Sequence, residues 1–182
     1  LESDKIAMES WKTNRIPVVV LRPGILYGPS RGLPASGLLQ IGSIRFLIGN
    51  GRNKLPYTYI DNAVDSLLLA AVTPKIEGQA FNIMDEPQTT PREIISKITS
   101  LTGETVRVFP IPPFLLNIIA TAFEAKSNKQ GADTPPRLTR YVIRSAHRDI
   151  EYDTQKARNL LGWHSEVSLN ESLKQIIQSR SR

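Results

Sequence analysis

Apolar positions fall at helical spacing near both ends of the chain and in short continuous runs between. Ile6, Ala7 and Trp11 share one helical face while Lys5, Glu9 and Lys12 stay polar, which predicts a helix over Asp4–Asn14, cut short at Arg15-Ile16-Pro17. Val18-Val19-Val20-Leu21 is apolar and largely β-branched, the pattern of a strand buried on both faces as in a parallel α/β sheet. A loop rich in Gly and Pro follows at Gly28–Gly37, then a predicted helix near Leu38–Ile48 and the turn Gly49-Asn50-Gly51. Tyr57–Ile60 reads as a short strand leading into Asp61, a good N-cap for the apolar helix Ala63–Val72, which Pro74 closes. Gln79–Met84 is another strand. Thr90-Pro91-Arg92-Glu93 is a capped helix start with Pro at its first position, running to Leu101 and stopped by Gly103. Val106–Phe109 is a third candidate strand. Helices are predicted at Pro113–Glu124, Pro136–Ala146, Thr154–Leu161 and Leu169–Ser179, with a polar linker, Lys126–Asp133, between the first two.

Alternating strands and helices make this an α/β protein, but two or three strands of a parallel sheet leave both edges open. The chain is therefore read as the later part of a larger fold. Covering Val18–Leu21 would bury about four large side chains worth about 1.5–3 kcal/mol each. Without that cover the chain is expected to be marginally stable or oligomeric.

Composition narrows the chemistry. Among 182 residues there is no Cys, which excludes disulfides, thiolate zinc sites and cysteine nucleophiles and suits a cytoplasmic setting. Two histidines, His147 and His164, are too few for a histidine metal cage and receive no role. The net charge of +6 raises the question of anionic partners, but the basic residues are dispersed and aromatics are 7%, so no nucleic-acid interface is expected. Pro112–Ala122, broken by Asn117, is far short of the roughly 20 apolar residues of a membrane-spanning helix. Leu1–Arg15 has no apolar core of a secretory signal.

Five segments, in order, carry a likeness to a known family. They are Ser3-Asp4-Lys5-Ile6-Ala7-Met8-Glu9, Val20-Leu21-Arg22-Pro23-Gly24-Ile25-Leu26-Tyr27-Gly28-Pro29, Tyr59-Ile60-Asp61-Asn62-Ala63, Phe81-Asn82-Ile83, and Asp153–Trp163 with its Lys156-Ala157-Arg158-Asn159-Leu160-Leu161-Gly162-Trp163. Each is weak alone; together they resemble the C-terminal half of an extended short-chain dehydrogenase/reductase of the NAD-dependent epimerase/dehydratase family. Ile48–Asn53, Pro110-Ile111-Pro112 and Pro136–Thr139 resemble most the hydroxysteroid and sterol dehydrogenase branch, whereas nucleotide-sugar epimerases share most of the other motifs.

The resemblance implies the C-terminal part of a doubly wound, Rossmann-like parallel sheet with a small mixed α/β substrate-binding subdomain. Residues 1–30 and about 61–86 would belong to the sheet layer, about 31–60 and 87–182 to the subdomain. It implies hydride transfer between NAD or NADP and a secondary alcohol or ketone, steroid-like or otherwise apolar, with a nucleotide sugar as the alternative substrate class. In the family a Tyr-x-x-x-Lys pair does the acid/base work. One helical turn puts both on one face, where the ammonium lowers the phenol from its ordinary value of about 10.

Lys5 matches that lysine. The tyrosine would fall at position 1, where Leu stands. Leu1-Glu2 are read as foreign to the motif, the alternative being a non-catalytic relative that kept the fold. Pro23, Gly24, Ile25 and Leu26 match the wall of the nicotinamide pocket, with main-chain groups toward the carboxamide. Tyr27 and Arg140 are candidate substrate contacts. The Gly-rich pyrophosphate turn is absent from these residues; Gly49-x-Gly51 has Lys54 where a third glycine would fall and reads as a surface turn.

The resemblance also implies a homodimer and a partner in the N-terminal half of the same fold. Arg137, Arg140, Arg144 and Arg148 form a helical stripe, by default a solvated face and otherwise a grip on phosphate or an anionic membrane surface. Phe114–Ala120 is by default a buried helix and otherwise lies against an apolar substrate or lipid in a peripheral membrane contact.

Overall fold

The computed structural model describes residues 2–32, 38–41, 44–103, 108–130 and 139–180. Leu1, Arg137 of the arginine stripe and the start of the Val106–Phe109 segment lie outside them. The elements in chain order are α1 (Glu2–Asn14), β1 (Val20–Pro23), β2 (Ile25–Tyr27), β3 (Leu38–Ile41), β4 (Ile44–Ile48), β5 (Tyr57–Tyr59), α2 (Ile60–Val72), β6 (Ala80–Ile83), α3 (Pro91–Thr102), β7 (Val108–Ile111), α4 (Pro113–Gln130), α5 (Arg140–His147), α6 (Gln155–Leu161) and α7 (Leu169–Arg180). They form two compact units, residues 1–34, 56–88 and 151–182, and residues 35–55 and 89–150.

In the first unit β1 pairs in parallel with β6, Val20 opposite Ala80 and Pro23 opposite Ile83, and β2 pairs in parallel with β5. Phe81 and Ile83 of β6 anchor a core completed by Ile76, Ala157, Leu161 and Trp163, with Val19, Leu21, Leu69 and Ala70 against it. The end of α6 explains how Trp163 gets there. Gly162 takes the left-handed φ of 66°, returns its N–H to the Arg158 carbonyl, and turns the next residue inward. The Trp163 indole then donates to the Asn62 carbonyl at 2.9 Å.

This packing corrects the domain boundaries read from the sequence. Residues 151–182 and the β5 strand belong with the sheet of the first unit, because Ala157, Leu161 and Trp163 form the apolar complement of β6. Val18–Leu21 is half-buried rather than buried on both faces. Among the described residues β1 has β6 as its one strand partner, and α1 buries none of its side chains. Asp61 does not cap α2: Tyr59 is the N-cap residue, without a side-chain cap bond, and Asp61 is exposed in the first turn.

In the second unit the predicted helix Leu38–Ile48 is instead a pair of strands. β3 and β4 are antiparallel, and β4 also pairs in parallel with β7, Phe46 opposite Phe109. Short apolar runs do not distinguish helix from strand by periodicity, and ladder bonds on both edges of β4 decide for strand. The linker read at Lys126–Asp133 is helical as far as Gln130, where α4 ends. Leu116 and Ala120 of α4 pack with Ile143 and Ala146 of α5 and with Ile48. The Asn53 amide donates to the carbonyls of Ala146 and Arg148, at 2.8 and 3.2 Å, pinning the C-terminal end of α5.

The predicted start of α3 is a complete capping box. Thr90 Oγ1 accepts from the Glu93 N–H at 3.2 Å and the Glu93 carboxylate accepts from the Thr90 N–H at 2.9 Å. Thr90→Ala is expected to lower stability by about 1 kcal/mol, and Thr90→Ser to retain most of it; chemical denaturation with the two variants unfolding alike would remove the box as the cause.

Candidate functional site

The segment through Pro23 and Gly24 lies where the parallel strands β1 and β6 end, the end at which open α/β sheets bind ligands. Here the chain leaves β6 and pairs with β5, which enters the fork between them. Gly24 marks the fork: its N–H is shared between the Ile83 carbonyl at 3.1 Å and Thr58 Oγ1 at 2.9 Å, and Thr58 in turn donates to the Ile83 carbonyl at 2.6 Å. Only glycine fits, since a Cβ there would lie 2.0 Å from the Pro56 carbonyl oxygen. The Ile25 N–H also goes to Pro56. Of the Pro23–Leu26 main-chain groups that the resemblance directs toward a carboxamide, the amides of Gly24 and Ile25 are therefore already bonded within the fork. Pro23 is exposed, and Ile25 and Leu26 are half-buried.

The first turn of α1 is tied to this same end of β1. Arg22 Nε donates to Asp4 Oδ2 at 2.7 Å, and the guanidinium holds the Asp4 carboxyl below its ordinary value. Lys5 follows Asp4 and is exposed. The ion pair thus joins the residue before Lys5 to the residue before Pro23, connecting two of the segments singled out from the sequence.

Tyr27 departs from expectation. It is 2% exposed, packed edge-on to Tyr57 and tilted against Tyr59, and its hydroxyl lies 2.9 Å from Ser172 Oγ and 3.2 Å from Asp85 Oδ2. Burial raises its phenol well above the ordinary value. It is a core residue rather than a substrate contact. Its neighbours in the Pro-Gly segment suggest the opposite, because a hydroxyl that satisfies an internal carboxylate leaves no mark on the local pattern.

Asp85, just past β6, is not singled out by any sequence motif, yet it organises this end of the unit. Its carboxylate accepts from the Tyr59 N–H at 2.8 Å, from Asn62 Nδ2 at 2.8 Å and from the Tyr27 hydroxyl. Asn62, fully buried, uses its remaining amide capacity on both main-chain groups of Val167. Burial pushes Asp85 up to about 6, against those hydrogen bonds. The signal that was available is the acid directly after the predicted strand, which ends at Met84.

Arg140 belongs to the second unit, where it lines an open groove of about 810 Å³ with Pro113, Asn117, Tyr141, Arg144 and Arg148. Its groove brings together three of the four arginines of the predicted stripe.

No family model matches the chain. Over 99% of its length it is 26% identical to a 3beta-hydroxysteroid-dehydrogenase/decarboxylase of Arabidopsis thaliana, covering 34% of that protein. It is 24% identical over 98% of its length to the UDP-glucose 4-epimerase of Vibrio cholerae, covering 51% of it. The crystal structure of UDP-glucuronic acid 4-epimerase from Bacillus cereus, in complex with UDP-glucuronic acid and NAD, superposes with a TM-score of 0.64 over 96% of this chain and 50% of its own, at 21% identity. The chain thus spans about half the length, or less, of the relatives it matches. Over nearly its whole length the chain is similar to sterol dehydrogenases and nucleotide-sugar epimerases of the NAD-dependent epimerase/dehydratase type, and it shares the Rossmann-like fold of the solved structures.

Proposed function

We propose that this chain is the catalytic-lysine and substrate-binding portion of an NAD(P)-dependent oxidoreductase acting on a secondary alcohol or ketone, with an apolar, steroid-like substrate. The observation that carries the reading is the Asp4–Arg22 ion pair, which brings the first turn of α1 to the ligand-binding end of β1. Bound NAD(P) would supply the hydride acceptor or donor. Lys5 would hold its ammonium one helical turn from the family's tyrosine and favour the phenolate that takes the alcohol proton. Because Asp4 is engaged by Arg22, it leaves the neighbouring ammonium to act on the phenol. Pro23, Gly24, Ile25 and Leu26 would act as a rigid wall, through shape rather than through the amides of Gly24 and Ile25.

The likeness to the sterol dehydrogenase branch supports the apolar substrate. A nucleotide sugar is the second reading, favoured by the guanidiniums of Arg140, Arg144 and Arg148 around one groove, which suit a diphosphate.

The test has two arms. The protein in its native reading frame is expected to reduce NAD+ or NADP+ with 3β-hydroxysteroids in preference to UDP-sugars; activity on UDP-sugars alone would select the second reading, and none on either class would select the non-catalytic relative. Residues 1–182 alone, which carry no Gly-rich pyrophosphate turn, are expected to bind neither NADH nor NADPH at micromolar concentration. Titration calorimetry showing micromolar binding would defeat that expectation.

A further inference from the structure

The Pro23–Leu26 segment is carried by two different strands. Pro23 stands opposite Ile83 of β6, and Leu26 opposite Thr58 of β5. Among the described residues β5 and β6 are not ladder partners of each other, so the shape of the segment depends on what fixes their separation. Past the end of β6, Asp85 donates its N–H to the Tyr57 carbonyl at 2.9 Å and accepts from the Tyr59 N–H. At the fork itself the join is a side chain. Thr58 Oγ1 donates to the Ile83 carbonyl at 2.6 Å and accepts from the Gly24 N–H at 2.9 Å, so one hydroxyl touches the exit of β1, β5 and β6 together.

The local sequence explains why this hydroxyl points there. Side chains alternate along a strand, and Tyr57 and Tyr59 both turn toward Tyr27, which sends Thr58 to the opposite side. Thr58 is 0% exposed, so its one proton and its lone pairs must find partners inside the protein. A valine of the same shape would keep the packing. It would also orphan neither backbone group, because the Gly24 N–H and the Ile83 carbonyl still meet at 3.1 Å. What disappears is the bond from β5 to that pair.

We propose that Thr58 is a positioning residue, whose hydroxyl sets the Pro23–Leu26 wall by holding the exit of β1 to β5 and β6 at once. The inference rests on the catalytic reading, in which this wall confines the nicotinamide. It adds a residue that touches neither cofactor nor substrate and acts through Gly24.

The test uses the protein in its native reading frame, with Thr58→Val, Thr58→Ala, Thr58→Ser and, as a control, Ser66→Ala, which removes a buried hydroxyl bonded within α2. Without cofactor, amide hydrogen exchange of the peptide spanning Gly24 and Ile25 is expected to be at least about fivefold faster in the valine and alanine variants. It should stay near the parental rate in Thr58→Ser and Ser66→Ala. In single turnovers at saturating NAD+ or NADP+, with the alcohol the parent oxidises, the rate constant for NADH or NADPH formation is expected to fall about tenfold in Thr58→Val and Thr58→Ala. Thr58→Ser should recover it to within about twofold. Loss of folded protein lowers the amplitude of the turnover and leaves its rate constant alone, so a fall in amplitude only overturns the proposal. Unchanged exchange overturns it too, as does faster exchange with a parental rate constant, which would make Thr58 a structural residue of the fork. An equal effect of Ser66→Ala would assign the change to general loosening of the unit and also overturns it. A parent that oxidises no alcohol with either cofactor removes the catalytic reading, and the positioning role with it; an active parent matched by Thr58→Val removes the positioning role alone.

Discussion

Replacing Asp85 with alanine is expected to lower the free energy of unfolding at pH 7 by about 3–5 kcal/mol, since it removes the acceptor shared by three donors. The Tyr59 N–H and the Asn62 amide both belong to fully buried residues and would face a methyl group. Each orphaned donor costs about 1–3 kcal/mol, while Tyr27 retains Ser172. Against a total stability of about 5–15 kcal/mol this is a large share. Urea denaturation measures it, and a loss under about 1 kcal/mol would show that the carboxylate does not organise this end of the unit.

The same residue sets a pH dependence whose sign is opposite to that of an ion-paired carboxylate. Burial holds Asp85 at about 6, above its ordinary 3.8, so the folded protein binds this proton more tightly than the unfolded chain. The resulting stabilisation is fully present below 3.8 and is lost as the pH rises through about 6. Its ceiling is about 3 kcal/mol. Denaturation midpoints of the parent protein are expected to gain on those of Asp85→Asn as the pH falls toward about 4.5. Parallel curves would contradict the assignment.

Lys5→Ala, made in the protein with the family's tyrosine one turn before it, is expected to lower kcat by about 10²–10⁴-fold, the range for acid/base catalysis. Stability should change by less than about 0.5 kcal/mol, because the side chain is exposed on a helix that buries none of its residues. The pH profile separates a catalytic role from a structural one. Without the ammonium the phenol returns toward about 10, so the ascending limb of the kcat profile for alcohol oxidation, which reports formation of the phenolate, moves to higher pH. Lys5→Arg should restore part of the rate. Full activity in the alanine variant, or loss of activity together with loss of folding, would remove Lys5 from the site.

Elements whose signal is local were legible in the chain. The capping box at Thr90, the Gly103 helix stop and the strand Ala80–Ile83 follow from residues within a turn or two of each other. The hairpin at Leu38–Ile48 was not, because its strand character comes from pairing with β7, whose residues lie some sixty positions on. Lys5 and the Pro23–Leu26 wall were picked out by resemblance. That α1 and β1 are tied together by Asp4 and Arg22 required coordinates.

Side-chain periodicity and the backbone limits at Pro and Gly were enough to establish the α/β class, the order of most helices and strands, and the Pro-Gly exit from β1; the resemblance carried by Ser3–Glu9 supplied the candidate lysine. Packing in three dimensions made Tyr27 a core residue, made Asp85 the hub of the polar network, and had residues 151–182 close the first unit rather than extend the second. Those outcomes turn on which buried donor meets which acceptor across 58 positions of chain between Tyr27 and Asp85, or 105 between Asn62 and Val167. A hydrogen bond between such distant groups leaves no periodic trace in either segment, so only the folded chain reveals it.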